Sequence, residues 1–396
     1  MAHIERSEYK NFLLRNKDNQ LIKIVSGIRG SGKTTIIEEY KKELLKSKIL
    51  KSQIISLDLE KISYQNRSYK VLIKDIVRMI NIDKMNYIFI NEIQNCLNFE
   101  LLIKELYSFK NVDLYLVGPH SGIFTKLFLE YFDGKFIELK MYPLSFKEFA
   151  MNINEDISNE EKYRLYVKTS SFPGIFYYHD NLDVVKGYLR GKFYTIMVKD
   201  IIKQYKINDI QTLENIFYYI YDHISEKMTP KSIADDLINY GYMTNDKTVE
   251  KYLDALLNLD IIHCAKRINL KTRKPMKSQG TYYVSNLGIR YLFSSERKIS
   301  ELAALKNIIY MELIRHGYIV YNGIYNNNEI DFVATNNQTY YFIQVTLSSS
   351  TERYKKKLQI LRNLKSDYTK IILTLEGENK DEEGIKVFNA INWLLK

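Results

Sequence analysis

Ile24-Val25-Ser26-Gly27-Ile28-Arg29-Gly30-Ser31-Gly32-Lys33-Thr34-Thr35 is an apolar run that opens into a Gly-x-x-x-x-Gly-Lys-Thr loop. Helical spacing follows at once in Ile36-Ile37-Glu38-Glu39-Tyr40. The order of strand, glycine-rich loop and helix specifies a phosphate cradle. Glycines let backbone N–H groups close around an anion, the helix turns its positive dipole end towards it, and a lysine reaches the outer phosphates. Gly27, Arg29, Gly30, Ser31, Gly32, Lys33, Thr34 and Thr35 are therefore the expected nucleotide-binding set, with the Thr34 hydroxyl on Mg²⁺. ATP and Mg²⁺ are the expected cofactors.

Outward from this loop, β-type runs alternate with helical stretches: Ile22–Ser26, Ile54–Asp58, Tyr87–Asn91, Leu114–Gly118 and Phe136–Leu139. Such alternation predicts a parallel sheet covered by helices, an α/β class, over residues 1–150. Residues 151–225 read as a helical lid, with apolar residues three and four apart through Tyr188–Tyr205 and Leu213–Ile224. Mg-ATP is expected between the sheet and this lid. Residues 226–298 have the pattern of a winged helix-turn-helix: Thr229-Pro230 opens one helix, Thr244 or Asn245 caps a second, and Ile261–Arg267 with Thr281–Val284 makes a hairpin. Residues 299–396 form a further α/β unit with a helix at Ala304–His316, strands at Tyr318–Tyr325, Glu329–Thr335, Tyr340–Thr346 and Lys370–Leu375, a helix near Thr351–Leu364 and a terminal helix.

At 396 residues the chain suits two or three domains. The net charge of +11 favours a polyanionic partner, and DNA is the expected one. Lys266, Arg267, Lys271, Arg273, Lys274 and Lys277 crowd the hairpin without an acidic residue among them, which suits phosphate contacts. A solvated loop, or a winged helix used for domain contacts, fits the same residues. No apolar run nears the roughly 18 residues that a membrane crossing needs, and the start has no apolar signal core, so a cytoplasmic protein without membrane contact is expected. Cys96, Cys264 and six scattered histidines show no disulfide or metal spacing.

Tyr87-Ile88-Phe89-Ile90-Asn91-Glu92 takes the place of the strand whose terminal acidic pair usually serves a phosphate loop. Glu92 is the expected general base and, with Lys33, the expected catalytic pair. Asn91 would face the metal, keeping the hydrogen-bonding shape of an aspartate without its charge. The end of the next strand brings His120 and Ser121 to where a sensor would read the γ-phosphate; a plain strand-to-helix turn explains them equally.

Gly27-Ile-Arg-Gly-Ser-Gly-Lys-Thr, Asn91-Glu-Ile-Gln, Gly118-Pro-His-Ser, Gly134-Lys-Phe-Ile-Glu and Tyr142-Pro-Leu-Ser-Phe-Lys-Glu-Phe together resemble the bacterial and archaeal AAA+ superfamily ATPases that carry an uncharacterised C-terminal domain. Ser171-Phe-Pro-Gly-Ile, Val198-Lys-Asp-Ile-Ile, Tyr282-Tyr-Val-Ser-Asn-Leu-Gly-Ile-Arg and Glu329-Ile-Asp-Phe-Val with Ile343-Gln-Val-Thr extend the likeness over essentially the whole chain. The resemblance implies a winged helix followed by a restriction-endonuclease-like fold. It also implies departures: Gly30, Asn91, Pro119-His120 and Lys135 stand where that family has Arg, Asp, Ser-Asn and Arg. Lys135 would take the place of a phosphate-sensing arginine without its bidentate fork. The nuclease-like set is Glu312, Asp331, Gln344 and Thr346, in which glutamine and threonine replace the usual glutamate and lysine, so cleavage is not expected. Lys355, Lys356 and Lys357 are candidates for a migrated lysine, with a solvated face as the simpler reading. Relatives in that superfamily complete a site with a neighbour's arginine; Arg164 and Arg190 are candidates, and a homo-oligomer or a protein partner is left open.

The expected function is a slowly hydrolysing ATPase that switches DNA binding. An ATP-gated, Mg-dependent nuclease and a nucleotide-binding scaffold without turnover are the alternatives.

Overall fold

The computed structural model describes residues 4–64, 67–118, 130–132, 134–153, 156–178, 181–276, 279–292, 299–336, 338–366 and 368–396. It divides into two compact units. The first ends at Pro143 and also takes in Phe172–Gly174 and Asn258–Asp260; the second holds the rest.

The first unit is built on strands β1 (Ile22–Ser26), β2 (Ile54–Asp58), β3 (Asn86–Asn91), β4 (Val112–Val117) and β5 (Phe136–Lys140). Among the described residues they form one parallel sheet in the order β2-β3-β4-β1-β5. Side chains alternate across a strand, and both faces here are apolar. One face carries Ile22, Ile24, Leu57, Ile88, Ile90, Leu114 and Leu116 against Leu72, Ile76, Leu102 and Leu106 of the Tyr69–Met79 and Phe99–Tyr107 helices. The other carries Val25, Phe89, Tyr115 and Val117 against the Ser7–Arg15 and Lys33–Lys46 helices. On that second face Lys23 pairs with Asp113, both about 1% exposed. Tyr115 Oη donates to the same carboxylate at 2.8 Å, and the Asp18 N–H does so at 3.1 Å. A buried ion pair survives where its remaining lone pairs are satisfied, as these are.

The second unit begins with helices at Phe146–Met151, Asn159–Lys168, Leu182–Thr195 and Ile210–Asp222. Ser145 and Ser158 open the first two with reciprocal capping boxes to Glu148 and Glu161. The periodic segment expected from Tyr188 to Tyr205 is interrupted: Ile196–Ile202 is a π-helix, a widened turn that apolar periodicity does not reveal. Two more helices, Pro230–Asn239 and Asp246–Asn258, are capped by Thr229 and by Asn245, whose Oδ1 accepts the Thr248 N–H at 2.9 Å.

The remaining strands are β6 (Lys227–Met228), β7 (Ile262–Asn269), β8 (Lys274–Pro275), β9 (Gly280–Val284), β10 (Ile319–Tyr325), β11 (Asn328–Thr335), β12 (Tyr340–Ser348), β13 (Thr369–Glu376), β14 (Lys380–Glu382) and β15 (Ile385–Asn389). They make one sheet in the order β14-β15-β13-β12-β11-β10-β7-β9-β6, with β8 paired to β7. The β7–β9 hairpin is thus not free-standing. Residues Lys266–Asn269 run parallel to Tyr321–Ile324 of β10, so hairpin and C-terminal strands share one hydrogen-bonded surface. The Glu352–Asn363 helix packs Tyr354, Leu358 and Leu361 on Ile330, Val333, Phe342 and Ile372. Tyr310, from the Glu301–Arg315 helix, stacks on Tyr283 with ring centroids 4.1 Å apart.

Candidate functional site

At the C-terminal edge of β1 the chain turns through Gly27, Gly30 and Gly32 with φ of 135°, 93° and 98°. A Cβ at Gly27 would meet the Met141 carbonyl oxygen at 2.0 Å, so only glycine fits between β1 and the chain leaving β5. The Lys33–Lys46 helix starts with no side-chain cap, which leaves its positive end to whatever enters the loop. Lys33, 7% exposed, curls back and donates to the carbonyls of Gly27 at 2.6 Å and Ile28 at 3.2 Å. Ser31 Oγ is buried without a hydrogen-bond partner, whereas Thr34 and Thr35 are exposed on the first turn. Orphaned donors, a folded-back lysine and an uncapped helix are the donor set that a polyphosphate needs, and the exposed Thr34 hydroxyl fits a Mg²⁺ ligand.

Three residues to which the sequence assigns no role at the loop complete it. Arg6, 5% exposed, donates to the carbonyls of Ser31 at 2.7 Å and Tyr142 at 3.0 Å, fastening the loop from outside. The Phe172 ring and Pro173 lie over Gly30 and Gly32, within 3.4 Å and 3.6 Å of where a Cβ would stand. No local pattern gives these contacts away, because each depends on distant parts of the chain meeting.

Glu92 sits one residue past β3 in left-handed backbone, φ 54°, a conformation that costs a non-glycine residue energy and gathers at functional sites. Its N–H donates to the Val117 carbonyl at 2.8 Å, which holds the corner. Its side chain, 8% exposed, accepts from Gln94 Nε2 at 2.6 Å and from Arg29 Nη2 at 3.3 Å; Arg29 also reaches Glu60 at 3.5 Å. The phosphate loop and the expected base are therefore linked by an ion pair. Asn91 donates from Nδ2 to Asp58 Oδ1 at 3.0 Å, its register partner on β2. The charge absent at position 91 stands one strand away.

Lys135 requires a correction. It is exposed just before β5, where its carbonyl accepts the Ile22 N–H, so it lies at the start of β1 rather than at its phosphate-loop end. Four to five residues at about 3.3 Å each separate the two edges, beyond a lysine's reach. At the loop's own edge the β5 cation is Lys140, opposite Ser26 and 2.6 Å from Asp260. Burial works to lower the Lys140 pKa, but Asp260 and its other neighbours win and raise it. His120 and Ser121 lie outside the described residues.

In the second unit the nuclease-like residues do not converge as a metal site. Glu312 is held by Arg315 at 3.2 Å and His316 at 3.5 Å on its own helix. Gln344 and Thr346 are 1% exposed; Gln344 donates to the Glu329 carbonyl at 2.8 Å and Thr346 to that of Ser348 at 3.4 Å. Asp331 binds Lys306 through Oδ1 at 2.6 Å, and through Oδ2 takes Lys357 and the Val345 N–H at 2.8 Å. Lys357, rather than Lys355 or Lys356, is the helix lysine that turns inward. Burial alone would raise the Asp331 pKa, but the two ammonium groups hold it at about 2; burial pushes Lys357 down to about 8 despite Asp331. No group of three metal-ligating side chains exists among the described residues.

The hairpin cations are divided between environments. Lys266, Lys271 and Lys274 are exposed, and Arg273 lies over the rings of Tyr340 and Tyr368 at 6.0 and 5.7 Å. Arg267, one residue from Lys266, points to the opposite face and is half-buried. Lys277 lies outside the described residues. Arg164 and Arg190 are on the Asn159–Lys168 and Leu182–Thr195 helices.

Residues 19–150 match a family model described as an AAA domain, and residues 160–298 match one described as a domain of unknown function. An uncharacterised protein of Haemophilus influenzae is 27% identical over 403 residues, covering 100% of this chain and 99% of that protein. An uncharacterised protein of Methanocaldococcus jannaschii is 22% identical over 334 residues, covering 79% of this chain and 71% of its own. The Walker-type ATPase of Pyrococcus abyssi superposes with a TM-score of 0.51 at 13% identity, over 73% of this chain and 95% of that one. The first unit has the fold of an AAA-type P-loop ATPase. No described helix is long and apolar enough to cross a membrane.

Proposed function

We propose that the chain binds and slowly hydrolyses ATP, and that the bound nucleotide governs contact with DNA. The observation that carries the first half is the uncapped Lys33–Lys46 helix under a glycine loop with Lys33 folded against it, facing a strained, buried Glu92 held by Arg29. Mg-ATP, when bound, supplies the transferable phosphoryl group and the metal charge. Loop amides and Ser31 orient the phosphates, and Lys33 exchanges the Gly27 and Ile28 carbonyls for phosphate oxygens. Thr34 and Asn91 would hold the metal, with Asp58 behind Asn91. Glu92 takes the proton of the attacking water on Oε2, the oxygen now engaged by Arg29 and Gln94. Loss of one charge-assisted contact at Asn91 is worth about 1.5–3 kcal/mol, the basis for slow turnover.

Multiple-turnover phosphate release, lost in Lys33→Ala and Glu92→Gln, tests the reading. Tight ATP binding without any turnover would replace it with a non-hydrolysing scaffold. The DNA half rests on the exposed Lys266, Lys271 and Lys274, and fluorescence anisotropy at moderate salt that finds no affinity for duplex or single strands, with or without ATP, removes it. The paired state of Asp331 speaks against the ATP-gated nuclease; plasmid nicking with Mg²⁺ or Mn²⁺ that disappears in Asp331→Ala would restore it.

A further inference from the structure

A cleft in the second unit is lined by Lys227, Arg267, Lys306, Asn322, Glu329 and Asp331. Its charges do not balance. Lys227 pairs with Glu329, and Asp331 is shared by Lys306 and, from behind, Lys357. Arg267 has no carboxylate partner among the described residues, and its Nε is buried without a hydrogen bond. Four cations therefore meet two carboxylates. A metal ion is the wrong guest, since both oxygens of Asp331 are engaged by ammonium groups.

The unmet groups narrow the choice of anion. Arg267 and Asn322 are register partners across β7 and β10. Asn322 Nδ2 donates to the Asp331 carbonyl at 2.6 Å, which leaves its Oδ1 buried and unpartnered. An orphaned guanidinium donor thus stands beside an orphaned acceptor. Leaving such groups unpaired costs about 1–3 kcal/mol each, which a guest with matching groups would recover. A guanidinium fork suits phosphoryl oxygens, and an acceptor suits a P–OH group. A phosphate monoester or inorganic phosphate has both, whereas a backbone diester or sulfate has no proton to give near neutral pH.

We infer that this cleft binds a terminal phosphoryl group, gripped by Arg267 with Lys227 and Lys306 and read by Asn322. The inference is independent of nucleotide binding at the loop. Its test uses the full chain carrying Lys33→Ala, so that the loop does not report. Calorimetry with inorganic phosphate at pH 6.5 should show binding that weakens at least tenfold on adding Arg267→Gln, with sulfate several-fold weaker than phosphate. Phosphate affinity unchanged by Arg267→Gln, or no binding at all, overturns the site; sulfate equal to phosphate overturns the role of Asn322. Should Arg267→Gln fail to fold by circular dichroism, Arg267→Lys keeps the charge and loses the fork, and unchanged affinity there counts against the inference equally. Oligonucleotides distinguish the source. A 5′-phosphorylated strand at least tenfold tighter than the same strand with a 5′-hydroxyl places the group on a nucleic-acid end, while equal affinities place it on a free phosphate or nucleotide.

Discussion

Glu92 and Asp331 are both buried carboxylates that meet basic side chains, yet their surroundings differ in kind. Glu92 occupies a left-handed corner beyond a strand end and meets Arg29 at 3.3 Å, longer than a good charge-assisted bond. Asp331 lies within the regular strand β11 and is saturated by two ammonium groups and a backbone N–H. Backbone strain and a loose partner mark a group that can change partners during a reaction. Saturation in regular structure marks one whose work is to hold the fold.

The largest test of this contrast is Glu92→Gln, which should lower phosphate release by about 10²–10⁴-fold while leaving the thermal midpoint nearly unmoved. Equal losses of stability and activity would erase the distinction. Asp331→Ala should do the reverse, destabilising the second unit by about 3–5 kcal/mol in denaturant titrations while ATP affinity stays intact, because two buried ammonium groups lose their counter-charge. Acid should single out the same residue. Its folded pKa of about 2 lies below the ordinary 3.8, so its contribution is complete above pH 4 and disappears as pH falls towards 2. That contribution is about 2 kcal/mol, and the corresponding fraction of the acid transition should be missing in Asp331→Asn. The smallest effect on turnover concerns Asn91. Asn91→Asp should speed turnover by about ten- to a hundredfold, and Asp58→Asn should slow it; no change in either would remove Asp58 as the source of the displaced charge.

What could be read from the chain follows the same division. β1 and β2 occupy the residues expected of them, because apolar runs on both sides of the loop need no information beyond themselves. Glu92 was visible for the same reason, as the end of such a run. The site roles of Arg6, Asp58 and Phe172 are not, since each depends on remote segments meeting. Lys135 lies elsewhere than its motif position implies, because a motif position says nothing of strand direction; its bond to Ile22 decides the matter. In the second unit Lys355, Lys356 and Lys357 are equivalent in sequence, and only packing singles out Lys357. β14 and β15 carry little strand signal, being short and surrounded by charge.

The parallel seam between Lys266–Asn269 and Tyr321–Ile324 has a practical corollary for expression. Cutting the gene anywhere between them would strip β7 of its neighbour and bare a row of amides and carbonyls to solvent, an invitation to intermolecular pairing. Fragments ending near residue 298 should therefore precipitate or dimerise edge to edge, and subcloning should respect the seam.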